Sequence, residues 1–435
     1  MIVSLIVVTF IYTRVMLNSM TQQQNSSQLQ LFEEYGAMLP IREAAKIFDV
    51  SVETIRRWEK KNLIHAHRDH RGYRTFEAEE IGNYLDKLHA RKKTKFSVLK
   101  AETPSKYKVI ELFAGAGGLA LGLENSGLIT EALVEIDKNS VATLRRNRPN
   151  WNVIDRDVTN VHFKEGQADI VAGGFPCQAF SYAGKKLGFE DVRGTLFFEF
   201  ARVVSEVKPS ILLAENVRGL VSHDQGRTLQ TMLDVLDELG YNTSYKILHA
   251  QYFDVAQKRE RLVIIGVRKD LNTEPDFPID QNYTISLRDA LDGVPDSDGF
   301  SYSGYKSSIM RRIPEGGYWK DLPLELQEEY LGKSFHMTGG KTGMARRLSW
   351  DEPSLTLTCS PTQKQTERCH PSETRPLTIR EYARIQSFPD DWEFVGSMAS
   401  QYRQIGNAVP VNLGYHVGKT VRFTLTDIES PRVLY

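Results

Sequence analysis

From Tyr107 onward, short runs of aliphatic residues alternate with stretches whose apolar positions recur every three or four residues. The first pattern predicts buried strands and the second predicts amphipathic helices. "YKVIELF" reads as a strand ending near Phe113, followed by the glycine-rich turn "AGAGG" and a helix from about Leu119. "EALVEID" is a second strand ending in Glu135, and "WNVIDRDV" carries Asp157. "ADIVAGGFPC", "SILLAENV" and the pair "KILHA" and "RLVIIGVR" continue the series. Strand–helix alternation of this kind predicts a doubly wound α/β fold with a parallel sheet, whose ligands bind at the carboxyl ends of the strands.

The pattern before this region is different. Residues 38–93 predict a compact module: a helix, a tight turn at Asp49–Ser51 with Ser51 as N-cap, and a second helix beginning at Val52. Ala44, Ala45, Ile47, Val50, Ile55 and Trp58 supply the apolar contacts, while Arg56, Arg57 and Lys60 stay outside. Gly72, with Tyr73 and Phe76 around it, suits a β-wing, and Ala78–His89 reads as another helix. From Ile55 to Lys95 there are 12 Lys/Arg against 6 Asp/Glu, a local basic excess in a chain of zero formal charge. A winged helix-turn-helix that contacts phosphates and a major groove fits both pattern and charge better than a neutral interaction module does. The stretch "ARKKTKFSVLKAETPSK" then leads through a basic, exposed linker at 94–106, with the catalytic body at 107–282, a smaller domain at 283–400 and a return to the body at 401–435.

Composition adds limits. With 435 residues, 41% hydrophobic and 25% charged, the chain has the makeup of a soluble protein of two or three domains. Three cysteines form no CxxC pair and no finger-like cluster, so neither a disulfide framework nor a metal site is expected, and a reducing cytoplasm suits them. "MIVSLIVVTFIY" is apolar but too short to span a bilayer and has no cleavage signature, so no membrane is implied. Residues 1–37 are expected to be unstructured, with translation starting near Met20.

The candidate chemistry gathers at strand ends. The glycines 115, 117, 118 and 122 depart from strict GxGxxG spacing, so the turn alone fits either a dinucleotide or close helix–strand packing. Glu135, twenty positions after Gly115, suits two ribose hydroxyls, which NAD and S-adenosylmethionine share. Cys177 follows Pro176 in "GGFPCQAF"; a lone cysteine is more often core filling than nucleophile. "FPCQ", "AENV", "QKRER" and "RQIGNAVP" then follow in order, the first three at or just past strand ends.

Together these motifs resemble the DNA (cytosine-5) methyltransferases of bacterial restriction–modification systems, over about Lys108 to Val421. The first module resembles the MerR-type winged helix in "AA…VS…TIRRWE…GYR". The resemblance implies a Rossmann-like S-adenosyl-L-methionine-dependent domain with a target-recognition domain, acting as a monomer on double-stranded DNA. It implies Cys177 as nucleophile, Glu215 as the acid toward cytosine N3, and Arg259 and Arg261 near the cytosine oxygen and the phosphate. It implies cofactor contacts from Phe113, Gly115, Gly117, Gly118, Leu119, Glu135, Ile136, Asp157, Pro176, Leu196, Asn407 and Ala408. DNA contacts are expected from Thr356 and Thr358 of the "TLT" stretch and from Arg56 and Arg57 of the N-terminal module. "SPTQKQTERCHP" is similar to methylases of short palindromes of the GGNCC or GGWCC type, and a cognate restriction endonuclease is the implied functional partner. An RNA cytosine methylase and a non-catalytic DNA-binding regulator are the competing readings. Absence of a "DPPY"-like tetrapeptide argues against methylation of an exocyclic amine.

Overall fold

A computed structural model describes residues 38–47, 55, 59, 64–69, 71–77, 80, 96–176, 196–336 and 341–429. Met20 and the rest of 1–37, the turn at 49–51, Arg56, Arg57, Trp58, the helix expected at 78–89 apart from Glu80, and Cys177 lie outside the described residues. The chain divides into two compact units, 1–93 and 94–435.

In the first unit β1 (Met38–Pro40) leads into α1 (Ile41–Ile47), and β2 (Ala66–Arg68) and β3 (Arg74–Glu77) form a hairpin. β3 is central and pairs antiparallel with both neighbours. The hairpin turn is closed by Asp69, whose Oδ1 accepts the N–H groups of Arg71 and Tyr73, and by Gly72 at φ +80°. Leu39, Ala44, Ala45, Ile55, Ile64 and Phe76 are buried together, and Tyr73 at the tip is exposed.

The second unit is built on a sheet of seven strands: β4 (Lys108–Leu112), β5 (Ile129–Glu135), β6 (Val153–Asp155), β7 (Ile170–Gly173), β8 (Ile211–Val217), β9 (Tyr241–His249) and β11 (Glu260–Arg268). Their order is β6-β5-β4-β7-β8-β11-β9. The expectation of a parallel sheet needs correction here, because β11 runs antiparallel to both β8 and β9. The reason is connection length: the short link from β9 to β11 leaves no room for a crossover helix, so the two strands pair as neighbours in a hairpin.

Helices cover both faces. α4 (Leu196–Val207) and α5 (Arg227–Glu238) pack on one side, where Phe197, Phe200, Val203, Val204 and Val207 form the buried stripe of α4. α2 (Gly118–Asn125), α3 (Lys138–Asn147) and the long α11 (Val411–Glu429) cover the other. α11 lies directly on α2: a Cβ on Gly122 would come within 2.4 Å of Val411 O and 2.7 Å of Gly414 Cα, so only glycine permits the approach.

Two further expectations change. Residues 96–106 are strapped to the second unit and do not form a free linker: Asn412 Nδ2 donates to Ser97 O, Leu99 N donates to Asn412 Oδ1, and Arg422 Nη1 donates to Thr103 O. Leu99 and Val98 supply apolar surface to a site that the basic residues of the stretch had obscured. The 283–400 stretch also divides between two cores. α6 (Leu287–Leu291), α9 (Ile379–Ile385) and Trp392 join the core containing Leu121 and Leu144, together with α10 (Met398–Asn407). α7 (Gly304–Met310) and α8 (Leu324–Leu331) form a separate small core with Trp319, Met344 and Cys369.

Candidate active site

The strand register sets the site. Glu111 on β4 pairs with Leu133 and Ala172, and Ala172 pairs with Leu213. Side chains alternate along strands, so Glu135, two residues past Leu133, and Glu215, two past Leu213, share the face of Glu111. Val263 pairs with Glu215, which puts Arg261 on the same face one step further along β11. Three carboxyl groups and a guanidinium therefore converge at one end of the sheet.

Glu215 and Arg261 form a nearly closed ion pair, Nε to Oε1 2.6 Å. Burial pushes the Glu215 carboxyl above its usual range, against the pull of Arg261 and Arg259. Gly174 stands beside it: a Cβ there would lie 3.0 Å from Glu215 Oε2. Next along β8, Asn216 donates through Nδ2 to Phe175 O at 2.9 Å, fixing the backbone two residues before Cys177. Pro176 is exposed, and Leu196 opens α4.

Arg259 is buried, not free to meet solvent. Its Nη1 donates to Leu357 O at 3.1 Å and its Nη2 to Gly406 O at 2.9 Å, while Nε finds no partner among the described residues. Burial lowers its pKa to about 9, which leaves it charged at neutral pH. It thus joins the start of β11 to the Thr356–Thr358 stretch and to the end of α10.

The glycine-rich turn has Phe113 and Gly115 at positive φ. Glu135 closes it, accepting from Gly115 N at 2.7 Å and from the N–H groups of Ile136 and Asp137 at 2.8 and 2.7 Å. A Cβ on Gly115 would meet nothing within 4 Å, so the turn opens onto free space, and a Cβ on Gly118 would strike Val409 O at 2.2 Å. Leu119 and Ala408 are buried behind the turn, Gly117 caps α2, Ile136 is exposed at the end of β5, and Asn407 is exposed. Asp157 sits at a strand end, its Oδ1 accepting from Thr159 N and Oγ1, which lowers its pKa. The Gly115 N–H that would face a pyrophosphate is taken by a carboxylate, with further carboxyl groups behind it. Such a site disfavours a phosphate beside the turn.

Thr356 and Thr358 are tied into the clamp. Thr356 Oγ1 donates to Lys258 O and Thr358 Oγ1 donates to Ser360 O, so both hydroxyls serve internal contacts. Arg368 donates twice to Thr356 O, and β10 (Gln257–Lys258) pairs with β12 (Ser354–Leu355), which clamps this stretch beside Arg259. The sequence reading missed Glu111, whose signal was one acid inside the apolar run "KVIEL". It also missed Gln257 and Gln386, whose buried amides link the clamp to the main-chain oxygens of Ile405 and Ala408.

Residues 107–422 match the C-5 cytosine-specific DNA methylases. The chain belongs to that family. It is a DNA (cytosine-5) methyltransferase of the C5 class, and residues 40–76 match the MerR family regulatory proteins. Among similar methylases, Type II methyltransferase M.Eco47II of Escherichia coli is 53% identical over 406 residues, covering 89% of this chain and 96% of that one. Type II methyltransferase M.Sau96I of Staphylococcus aureus is 56% identical over 324 residues, covering 72% and 75%. A crystal structure of an E. coli prophage-encoded DNA modification methyltransferase superposes with TM-score 0.54 at 25% identity, covering 74% of this methylase and all of that chain. Among the described residues, no group of His, Cys, Asp and Glu could hold a metal, and no helix is long and apolar enough to cross a membrane.

Proposed function

We propose that this methylase modifies carbon 5 of one cytosine within a short GC-rich palindrome of double-stranded DNA and so protects that DNA from a cognate restriction endonuclease. The observation that carries the reading is the buried Glu215–Arg261 pair on the same sheet face as the glycine-rich turn. S-adenosyl-L-methionine, held by Glu135, Ile136, Asp157 and the turn, supplies an electrophilic methyl group.

The protein's own residues do the rest. A cytosine stacked in a duplex is out of reach, so the base is flipped into the site. The Cys177 thiolate adds to C6, converting C5 into an enamine-like carbon. Glu215, whose carboxyl burial pushes toward its protonated form, donates to N3 as negative charge develops there. Arg261 holds the Glu215 carboxyl in place and faces the cytosine oxygen, while Asn216 sets the approach of the cysteine loop through Phe175. Once C5 carries the methyl group, a base removes the C5 proton and the electron pair expels the thiolate. The enzyme works as a monomer in the cytoplasm, and its N-terminal unit binds promoter DNA and represses the methylase's own gene.

Bisulfite sequencing of DNA from cells expressing the protein identifies the target, and methyl incorporation into duplex DNA compared with tRNA separates DNA from RNA chemistry. Cys177→Ser should abolish turnover while retaining specific DNA binding, and wild type should form a covalent complex with 5-fluorocytosine duplex. Appreciable methylation by Cys177→Ser would sink the mechanism.

A further inference from the structure

Residues 359–367 leave the active-site clamp, reach the surface and return within a few residues. Contacts hold the loop at its two ends and at several main-chain groups between them. Thr358 Oγ1 lies 3.1 Å from Thr366 Oγ1, Lys306 Nζ donates to Thr362 O at 2.8 Å, and Arg368 N donates to Pro361 O. Glu367 N donates to Gly343 O, and Gly343 is so close that a Cβ on it would lie 2.3 Å from Gln365 O. Beneath the loop the buried Glu367 carboxyl accepts from Tyr330 OH and Ala345 N and pairs with Lys306.

At the tip is a single 3-10 turn, Lys364–Thr366. Lys364 folds back, donating to Tyr330 O and lying over the Tyr330 ring. Its two neighbours do not. Gln363 and Gln365 are exposed, and neither amide has a partner among the described residues. An immobilised backbone that presents two free amides is an arrangement suited to recognition, because little order remains to be imposed on binding. An amide offers one donor edge and one acceptor edge, the pair that matches the N6 and N7 of adenine and can also meet other base edges in a major groove. The loop begins at Thr358, and Leu357 is bonded to Arg259, so a duplex read at the tip is registered against the catalytic end of the sheet.

We infer that Gln363 and Gln365 read base edges of the target duplex and set the sequence specificity of this methylase. The inference rests on the proposed action on specific duplex DNA. Full-length wild type, Gln363→Ala and Gln365→Ala are compared on a duplex library randomised around the wild-type target, with methylated positions read by bisulfite sequencing. Each variant should lose roughly 5- to 150-fold in preference for the cognate base at one position. Melting temperatures and rates on the best remaining sequence should stay near wild type. Unchanged preference in both variants overturns the inference while leaving DNA methylation intact, as does an equal loss on all sequences. Failure of wild type to methylate any duplex removes the proposed function and this inference with it.

Discussion

Arg261 Nε stands 2.6 Å from Glu215 Oε1, across the antiparallel junction between β8 and β11. Because β11 is antiparallel, its first residues lie beside the last residues of β8, and acid and guanidinium meet at the catalytic end. In a wholly parallel sheet the start of β11 would lie at the opposite end from Glu215.

Glu215→Gln should keep the fold and lower the methylation rate by about 10²- to 10⁴-fold, the usual contribution of a positioned acid. The loss of rate that deprotonated Glu215 causes as pH rises through its raised pKa should disappear in this variant. Arg261→Met strands a buried carboxyl and should destabilise by about 3–5 kcal/mol. Adding Glu215→Gln should restore part of that stability, and pH–rate profiles with urea unfolding of the four proteins check both points.

Glu111 gives a stability signature. It is fully buried, its Oε2 has no partner among the described residues, and burial followed by Glu135 and Glu215 pushes its pKa far above the carboxylate range. The folded state therefore holds a proton that the unfolded chain releases. Stability from this group is fully present below the unfolded pKa and falls as pH rises toward the folded one. Glu111→Gln should flatten that decline, so that the variant gains on wild type in unfolding midpoints as pH rises above the usual carboxylate range.

Gly118→Ala should push Val409 and the 407–410 segment away from the turn, since the new Cβ would sit 2.2 Å from Val409 O. Overpacking against backbone costs about 1–3 kcal/mol. Calorimetric titration with S-adenosylhomocysteine should show at least tenfold weaker binding, and a melt should show lower stability.

In the N-terminal unit, Arg56→Ala and Arg57→Ala should each lower the log–log salt slope of promoter binding by about one if they contact phosphate. Deleting residues 1–93 should raise expression from that promoter while methylation in vitro survives. Gel-shift titrations at several salt concentrations and a promoter reporter give the measurements.

Much of the site was legible because strand ends carry its chemistry and strands announce themselves by apolar runs. Glu135, Glu215 and Arg261 could be placed that way. The direction of β11 could not, since a buried strand reads the same along either axis and only the length of its connection decides. The internal contacts of Arg259 and the two threonines could not be read from the sequence, because main-chain acceptors such as Leu357 O and Gly406 O leave no trace in residue type. The docking of 96–106 was hidden for the same reason: it depends on Asn412, more than 300 residues away.

The contact of α2 with α11 also bears on the order of synthesis. The turn leading into α2 emerges from the ribosome long before its neighbours, Val409 and the glycines of α11. Until then the turn has no floor, and closing so large a loop is slow relative to local helix formation. A chain that stops before residue 411 lacks the surface that covers α2. The turn is complete only in molecules in which these two distant segments have already met.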